Sequence, residues 1–246
     1  MSDDLMPHAS GPKPHAPCLM PMLDILYEDD ILLFVNKPPG MVVQRGYDAH
    51  EIILLDLVRS HAHVPVHLLQ RLDRGTSGVI FFSKSSAMNV RITRQFEKKK
   101  IVKRYLAICE GELAETQTID APLARIGAIK FAVRDAGKRS ITHIKPIVAT
   151  SNGSLLSIQL ETGRTHQIRV HLSAIGHPLA GDWLYGERNA DRPMLHAVEL
   201  EIMHPLTNKP LRVAAPLPAD FLAELRRREI VLSQGQSVIG SVHVSH

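Results

Sequence analysis

The stretch Gln70-Arg71-Leu72-Asp73-Arg74-Gly75-Thr76-Ser77-Gly78 sets a carboxylate between two guanidinium groups and runs directly into the apolar segment Val79 to Phe82. In an extended chain side chains alternate, so Arg71 and Asp73 share one face while Leu72 takes the other. Leu72 can then anchor the segment and leave both charges facing a groove. The same residues also fit a structural ion pair in a tight turn. A second segment, Leu160 to Leu172, ends a strand, turns at Gly163 and opens a helix. Arg164 stands at that junction, where backbone N–H groups and the helix dipole favour an anion. His166, Gln167 and Arg169 add donors able to hold a phosphate or a base edge; the alternative is a capped helix with solvated polar residues. Gly176 to Gly186 is dense in turn formers and reads as a shaped loop.

Positive charge is concentrated near these segments. Between Arg91 and Arg104 seven of fourteen residues are basic against the single acid Glu97, and Arg91, Arg94 and Lys98 make one helical stripe. A second basic stretch, Arg125, Lys130, Arg134, Lys138 and Arg139, falls in a hairpin or loop between strands. Both fit a polyanionic partner, although a charge run is also how a solvated face looks. The net charge is +4. Fourteen histidines, with His61, His63 and His67 close together, invite a metal, but no acidic or cysteine ligand stands at zinc spacing and none is expected. Cys18 and Cys109 offer neither a disulfide framework nor a zinc ribbon.

The elements that must position these residues follow from periodicity. Ile31 to Asn36 is an apolar strand closed by Lys37-Pro38-Pro39-Gly40, and Met41 to Gln44 resumes an extended course. Glu51 to His61 and Ser85 to Lys99 read as helices, with Gly78 to Ser83 as a buried strand between them. Strands are expected at Ile101 to Glu110, Ser140 to Thr150 and Leu156 to Leu160, the last with one wet face, then at Leu195 to Met203 and Leu211 to Ala214. Thr165 can cap a helix ending at Ile175 with Gly176 beyond it, and Pro218 to Arg228 is a terminal helix. Strands outnumber helices without regular alternation, which points to an α+β fold with a large mixed, mainly antiparallel sheet flanked by helices. Residues 1–22, with five prolines, read as a disordered leader, 23–228 as one folded domain and 229–246 as a polar tail. The longest apolar run, Ile31 to Val35, is far too short for a membrane span, and the acidic start offers no secretory signal, so a cytoplasmic protein is expected.

Four ordered blocks resemble the RluA-type pseudouridine synthases, which isomerise selected uridines in structured RNA. Leu26-Tyr27-Glu28-Asp29-Asp30 with Val35-Asn36-Lys37-Pro38-Pro39-Gly40 is similar to the family's first block, and Arg71 to Gly78 to its catalytic block. Lys103-Arg104-Tyr105-Leu106-Ala107 matches its tyrosine block, and Thr162 to Leu172 with Gly181-Asp182 and Tyr185-Gly186 its third. The likeness runs from about Leu23 to Phe221. It implies Asp73 as nucleophile, Arg164 as its ion-pair partner and Tyr105 as the aromatic residue against the target uracil. It implies no cofactor, no metal, a monomer, and a ribosomal or transfer RNA substrate whose target base is flipped out, with Arg71 filling the vacancy. Arg71, Arg74, Thr76 and Lys103 join His166, Gln167 and Arg169 as the expected RNA contacts. One position departs from the family: Gln70 stands where histidine usually precedes Arg-Leu-Asp, and an amide cannot become cationic. With only a Pro-rich leader before the first block, RNA selection is expected to rest on the catalytic domain rather than on an accessory domain of the S4 type. The rival reading is a non-catalytic RNA-binding or RNA-folding protein on the same scaffold.

Overall fold

The computed structural model describes residues 22–46 and 51–232. The expected leader except Met22, and the tail beyond residue 232, therefore lie outside the described residues. In chain order the elements are β1 (Ile25–Glu28), β2 (Leu32–Lys37), α1 (Leu54–Ala62), β3 (His67–Leu68), β4 (Ser77–Ser83), α2 (Ser86–Glu97), β5 (Val102–Cys109) and β6 (Gln117–Asp120). There follow β7 (Leu123–Arg125), β8 (Phe131–Val133), β9 (Ile141–Thr150), β10 (Gly153–Leu160), α3 (Gln167–Ala174), β11 (Leu195–Met203), β12 (Pro210–Ala214) and α4 (Ala219–Arg227).

Ten strands form one sheet in the order β1-β2-β4-β11-β5-β10-β9-β6, with β12 added to β11 and β3 to β4; β7 and β8 make a separate hairpin. Every strand pairing is antiparallel except β4 with β11, where His196 faces Ser77 and Ala197 faces Gly78. That contact depends on a missing side chain. Gly78 has φ +108°, and a Cβ there would lie 2.1 Å from the Ala197 carbonyl oxygen, so any other residue would push the two strands apart.

The pleat of β5 shows how the sheet divides its cores. Tyr105, Ala107 and Cys109 point to one side, with Ile92 of α2 and Ile168 and Leu172 of α3. Leu106 and Ile108 point to the other, against Phe221 and Leu225 of α4. A third cluster joins Leu33, Val35, Ile80 and Phe82 to Leu54 and Val58 of α1. Along β10 the expected alternation holds: Leu156, Ile158 and Leu160 are buried, while Ser157 and Glu161 are partly exposed and Gln159 is exposed. Met41 to Gln44 makes only an isolated bridge, Val42 to Ile53, instead of a strand.

Candidate functional site

Asp73 sits in the turn that feeds β4. The turn is closed by the Thr76 N–H donating to the Asp73 carbonyl at 3.1 Å and the Gly40 N–H donating to Arg74 O at 2.9 Å. Two buried cations hold the neighbouring peptides. The Lys37 ammonium, at the end of β2, donates to Pro38 O, Met41 O and Arg74 O at 2.9, 2.9 and 3.1 Å. Burial draws its pKa down to about 7, with the charges of Arg192 and Arg74 adding and Asp73 opposing. Arg192 donates to Gly75 O at 3.0 Å while Asp220 grips it through two bonds of 2.6 and 3.0 Å. The carboxylate of Asp73 is thereby fixed at the floor of a cleft of about 420 Å³, with its side chain 29 % exposed.

The cation that meets Asp73 is Arg169, not Arg164. Arg169 Nη1 lies 3.8 Å from Asp73 Oδ2, and its other nitrogens hold Asp182 in a bidentate pair at 2.7 and 2.6 Å. Burial works against the Arg169 charge, but the Asp182 hydrogen bonds and charge, then Asp73, hold its pKa above the ordinary value. The reason is where the helix starts. His166 takes a left-handed conformation (φ 57°) and α3 begins at Gln167, so Thr165 does not cap it. Arg169 thus falls inside the first turn and points into the protein. Arg164 stays exposed before the helix, with Nε donating to Arg139 O at 3.3 Å.

The helix start also corrects the expected RNA contacts. Gln167 is 2 % exposed. Its carbonyl accepts from the Thr162 hydroxyl and the Arg164 N–H, and its amide donates to Ile141 O and Thr142 Oγ1, all between 2.7 and 3.0 Å. A fully used, buried amide has nothing to offer RNA; it ties the turn to β9. Arg169 is likewise committed to carboxylates. His166 is the most informative residue of the group. Tyr185 Oη accepts the Phe131 N–H at 3.0 Å, so its own proton goes to His166 Nδ1 at 2.8 Å. That assignment leaves the proton of a neutral ring on Nε2, 3.9 Å from Asp73 Oδ2. Burial is the largest influence on His166 and lowers its pKa, with Asp73 opposing, so the ring is neutral near pH 7.

Tyr105 projects from β5 into the same cleft and is 8 % exposed. Burial, and then the Asp73 charge, push its phenol far above the ordinary value, keeping it neutral. Its hydroxyl has no hydrogen-bond partner among the described residues and remains available to a ligand. Lys103, two residues earlier, lines the cleft with Nζ 6.0 Å from the Phe96 ring centroid; burial lowers its pKa. Thr76 lies on the cleft floor, 3 % exposed. Arg71 is exposed at the cleft mouth without a partner among the described residues, whereas Arg74 is held by Glu51 through two bonds of 2.5 and 2.8 Å. Gln70, also lining the cleft, keeps a buried Nε2 with no hydrogen-bond partner.

Sequence reasoning missed Arg192, Asp220, Asp182 and Tyr185 as builders of the site, along with the tether made by Lys37. The latter three lie in blocks noted for likeness, and nothing local marks Arg192 or Asp220, whose partners are far along the chain. Among the described residues no three His, Cys, Asp or Glu side chains cluster as a metal site, and His61 bonds Glu28 at 2.8 Å. No helix of the described residues is long and apolar enough to cross a membrane.

A mixed sheet carrying an aspartate, a tyrosine and an arginine in one cleft is the arrangement that the resemblance to pseudouridine synthases implies. The model of the RNA pseudouridylate synthase family matches residues 31–174, and the chain belongs to that family. It is 38 % identical over 211 residues to the uncharacterized RNA pseudouridine synthase YhcT of Bacillus subtilis, covering 81 % of this chain and 70 % of that one. The ribosomal large subunit pseudouridine synthase D of Nitrosomonas europaea is 38 % identical over 222 residues, covering 83 % of this chain and 64 % of that one. The chain thus spans roughly two thirds of these relatives' length. The structure of human RNA pseudouridylate synthase domain containing 4 superposes with a TM-score of 0.70 at 25 % identity, covering 84 % of this chain and 93 % of that one.

Proposed function

We propose that this protein converts one or a few uridines of structured ribosomal or transfer RNA to pseudouridine, with Asp73 as nucleophile. The observation that carries the reading is a partly exposed carboxylate fixed by Arg169 at 3.8 Å on the floor of a cleft that also holds the unbonded Tyr105 hydroxyl. The reaction breaks the C1′–N1 bond, joins C1′ to C5, releases the C5 proton and returns a proton to N1. It needs an ionised, unhindered carboxylate and no redox step.

A stacked uracil cannot present itself to Asp73, so the target leaves the helix at a cost of a few kcal/mol, or lies in a loop already. Arg71, exposed at the cleft mouth, takes the vacated place by stacking its guanidinium on a neighbouring base. Tyr105 lies against the uracil, and its neutral hydroxyl meets the base edge. Arg164 and Lys103 neutralise phosphates at the cleft rim. Residues 23–228 carry this chemistry in a cytoplasmic monomer. Large-subunit ribosomal RNA is the first substrate to try, because several relatives are named for it.

The test is tritium release from RNA labelled at uracil C5, comparing the wild type with Asp73→Ala. Release by the wild type alone is expected. Release by both would remove Asp73 from the reaction, and binding without release from any RNA would favour a non-catalytic RNA-binding protein on this scaffold.

A further inference from the structure

We propose that a second cavity beside the cleft is a stacking site for an unpaired nucleobase flanking the target uridine, with Trp183 as its platform. This rests on the RNA-modifying reading above and adds a contact that reading does not contain. The cavity, about 590 Å³, shares Asp73, His166 and Arg169 with the cleft, so whatever RNA reaches Asp73 also reaches its mouth. Its other walls include the loop around Trp183 and the β7–β8 hairpin, through Ile129 and Phe131.

Large apolar side chains are left in solvent here. Trp183 is 57 % exposed and Ile129 54 % exposed. A wide apolar ring is costly to leave in water, and its presence beside a reactive carboxylate marks a binding surface. The loop that presents it is rigid. Asp182 accepts the Leu184 and Tyr185 N–H groups at 3.2 and 3.3 Å while Arg169 holds the same carboxylate. Gly181, at φ +73°, packs so closely that a Cβ would stand 2.2 Å from Arg192 O. Trp183 therefore stands out because its loop is locked, and a preset ring loses little entropy when a base settles on it.

Charge selects the occupant. Of the four arginines that line the cavity, Arg74, Arg169 and Arg192 are held by Glu51, Asp182 and Asp220, whereas Arg125 donates only to the Gly127 and Ala128 carbonyls and keeps its charge for a phosphodiester chain carrying a base. Every base has a π face, and stacking on an aromatic residue is worth about 1–3 kcal/mol per base.

Trp183 is the only tryptophan of the chain, so intrinsic emission reports this site alone. The wild type is titrated with an unmodified transcript of large-subunit ribosomal RNA, then with transfer RNA, while binding is followed separately by filter retention. Binding accompanied by quenched emission and protection from acrylamide is expected. Binding with unchanged emission overturns the stacking site and leaves the enzyme reading standing; no binding to either RNA overturns both. A variant series provides the second measurement. Trp183→Ala and Trp183→Leu should each lower kcat/KM by about tenfold or more, and Trp183→Phe by distinctly less. Leucine performing as well as phenylalanine would mean that apolar bulk, as offered to a protein partner, is what the cavity needs, and would also overturn the assignment.

Discussion

Arg169 and Arg164 carry the same charge five positions apart, and burial gives them different work. Arg169 is 6 % exposed and bridges Asp182 to Asp73, so it acts through the carboxylates it orients. Removing it leaves Asp182, itself 0 % exposed, as an unpaired buried charge. Arg169→Ala should therefore destabilise the fold by about 3–5 kcal/mol in urea unfolding. Arg164→Ala should leave stability within about 0.5 kcal/mol of the wild type and flatten the plot of log affinity against log salt by about one unit. Equal stability losses would contradict the assignment of the buried pair. Much of the site was legible at this scale: Asp73, Tyr105 and Arg71 all line one cleft, as their blocks implied. The choice between the two arginines was not, because both fit the segment Thr162 to Leu172. Only the left-handed turn at His166 decides which one faces inward. The same turn spends Gln167 on its own backbone, which its polarity in the sequence could not reveal.

At the scale of elements, the β7–β8 hairpin is linked to Asp73 through two hydrogen bonds and a closing contact of 3.9 Å. The Phe131 N–H fixes the Tyr185 hydroxyl, which fixes His166, which turns Nε2–H toward Asp73. Tyr185→Phe removes one hydroxyl and frees the ring to exchange tautomers. Expected are a mixed tautomer in the ¹⁵N spectrum of His166 and a fall in kcat of about ten- to a hundredfold with KM little changed. An unaltered tautomer with unaltered kcat would show that Tyr185 only packs. The hairpin was expected merely as a hairpin or loop, and β1, β3 and β6 escaped notice altogether. These are short strands, two to four residues long, and a period of two has no length over which to appear. By contrast β11 runs from Leu195 to Met203, as its apolar pattern predicts. The apolar run Val79 to Phe82 likewise falls inside β4, buried on both faces. Helix ends moved by up to three residues, since α1 starts at Leu54 and not at Glu51, a boundary that periodicity leaves loose.

Across the whole molecule, buried histidine makes stability depend on pH. His196 is fully buried at the parallel contact of β4 with β11. Its Nε2–H donates to Ala215 O at 3.3 Å and its Nδ1 accepts the Ser77 hydroxyl at 2.9 Å, an arrangement that suits the neutral ring. Burial lowers its pKa from 6.5 to about 4, with the Ala215 carbonyl opposing and the Arg192 charge adding. Below pH 6.5 the unfolded chain therefore takes up a proton that the folded chain refuses until about pH 4. The unfolded state binds more protons in that window, so stability rises with pH across it and falls as acid is added. A shift of this size corresponds to about 3 kcal/mol over the full window. Burial moves His171 and His166 the same way. The paired carboxylates Glu28, Asp220 and Glu224 have lowered pKa values, so their stabilisation is lost only below the ordinary carboxylate range. Between about pH 5 and 6.5, histidine is therefore the main source of the slope. Urea unfolding across this interval should show stability falling with acid, and His196→Gln, which keeps a neutral polar side chain, should flatten the curve while lowering it as a whole. A slope of wild-type steepness in that variant would place the proton uptake on His166 and His171 instead.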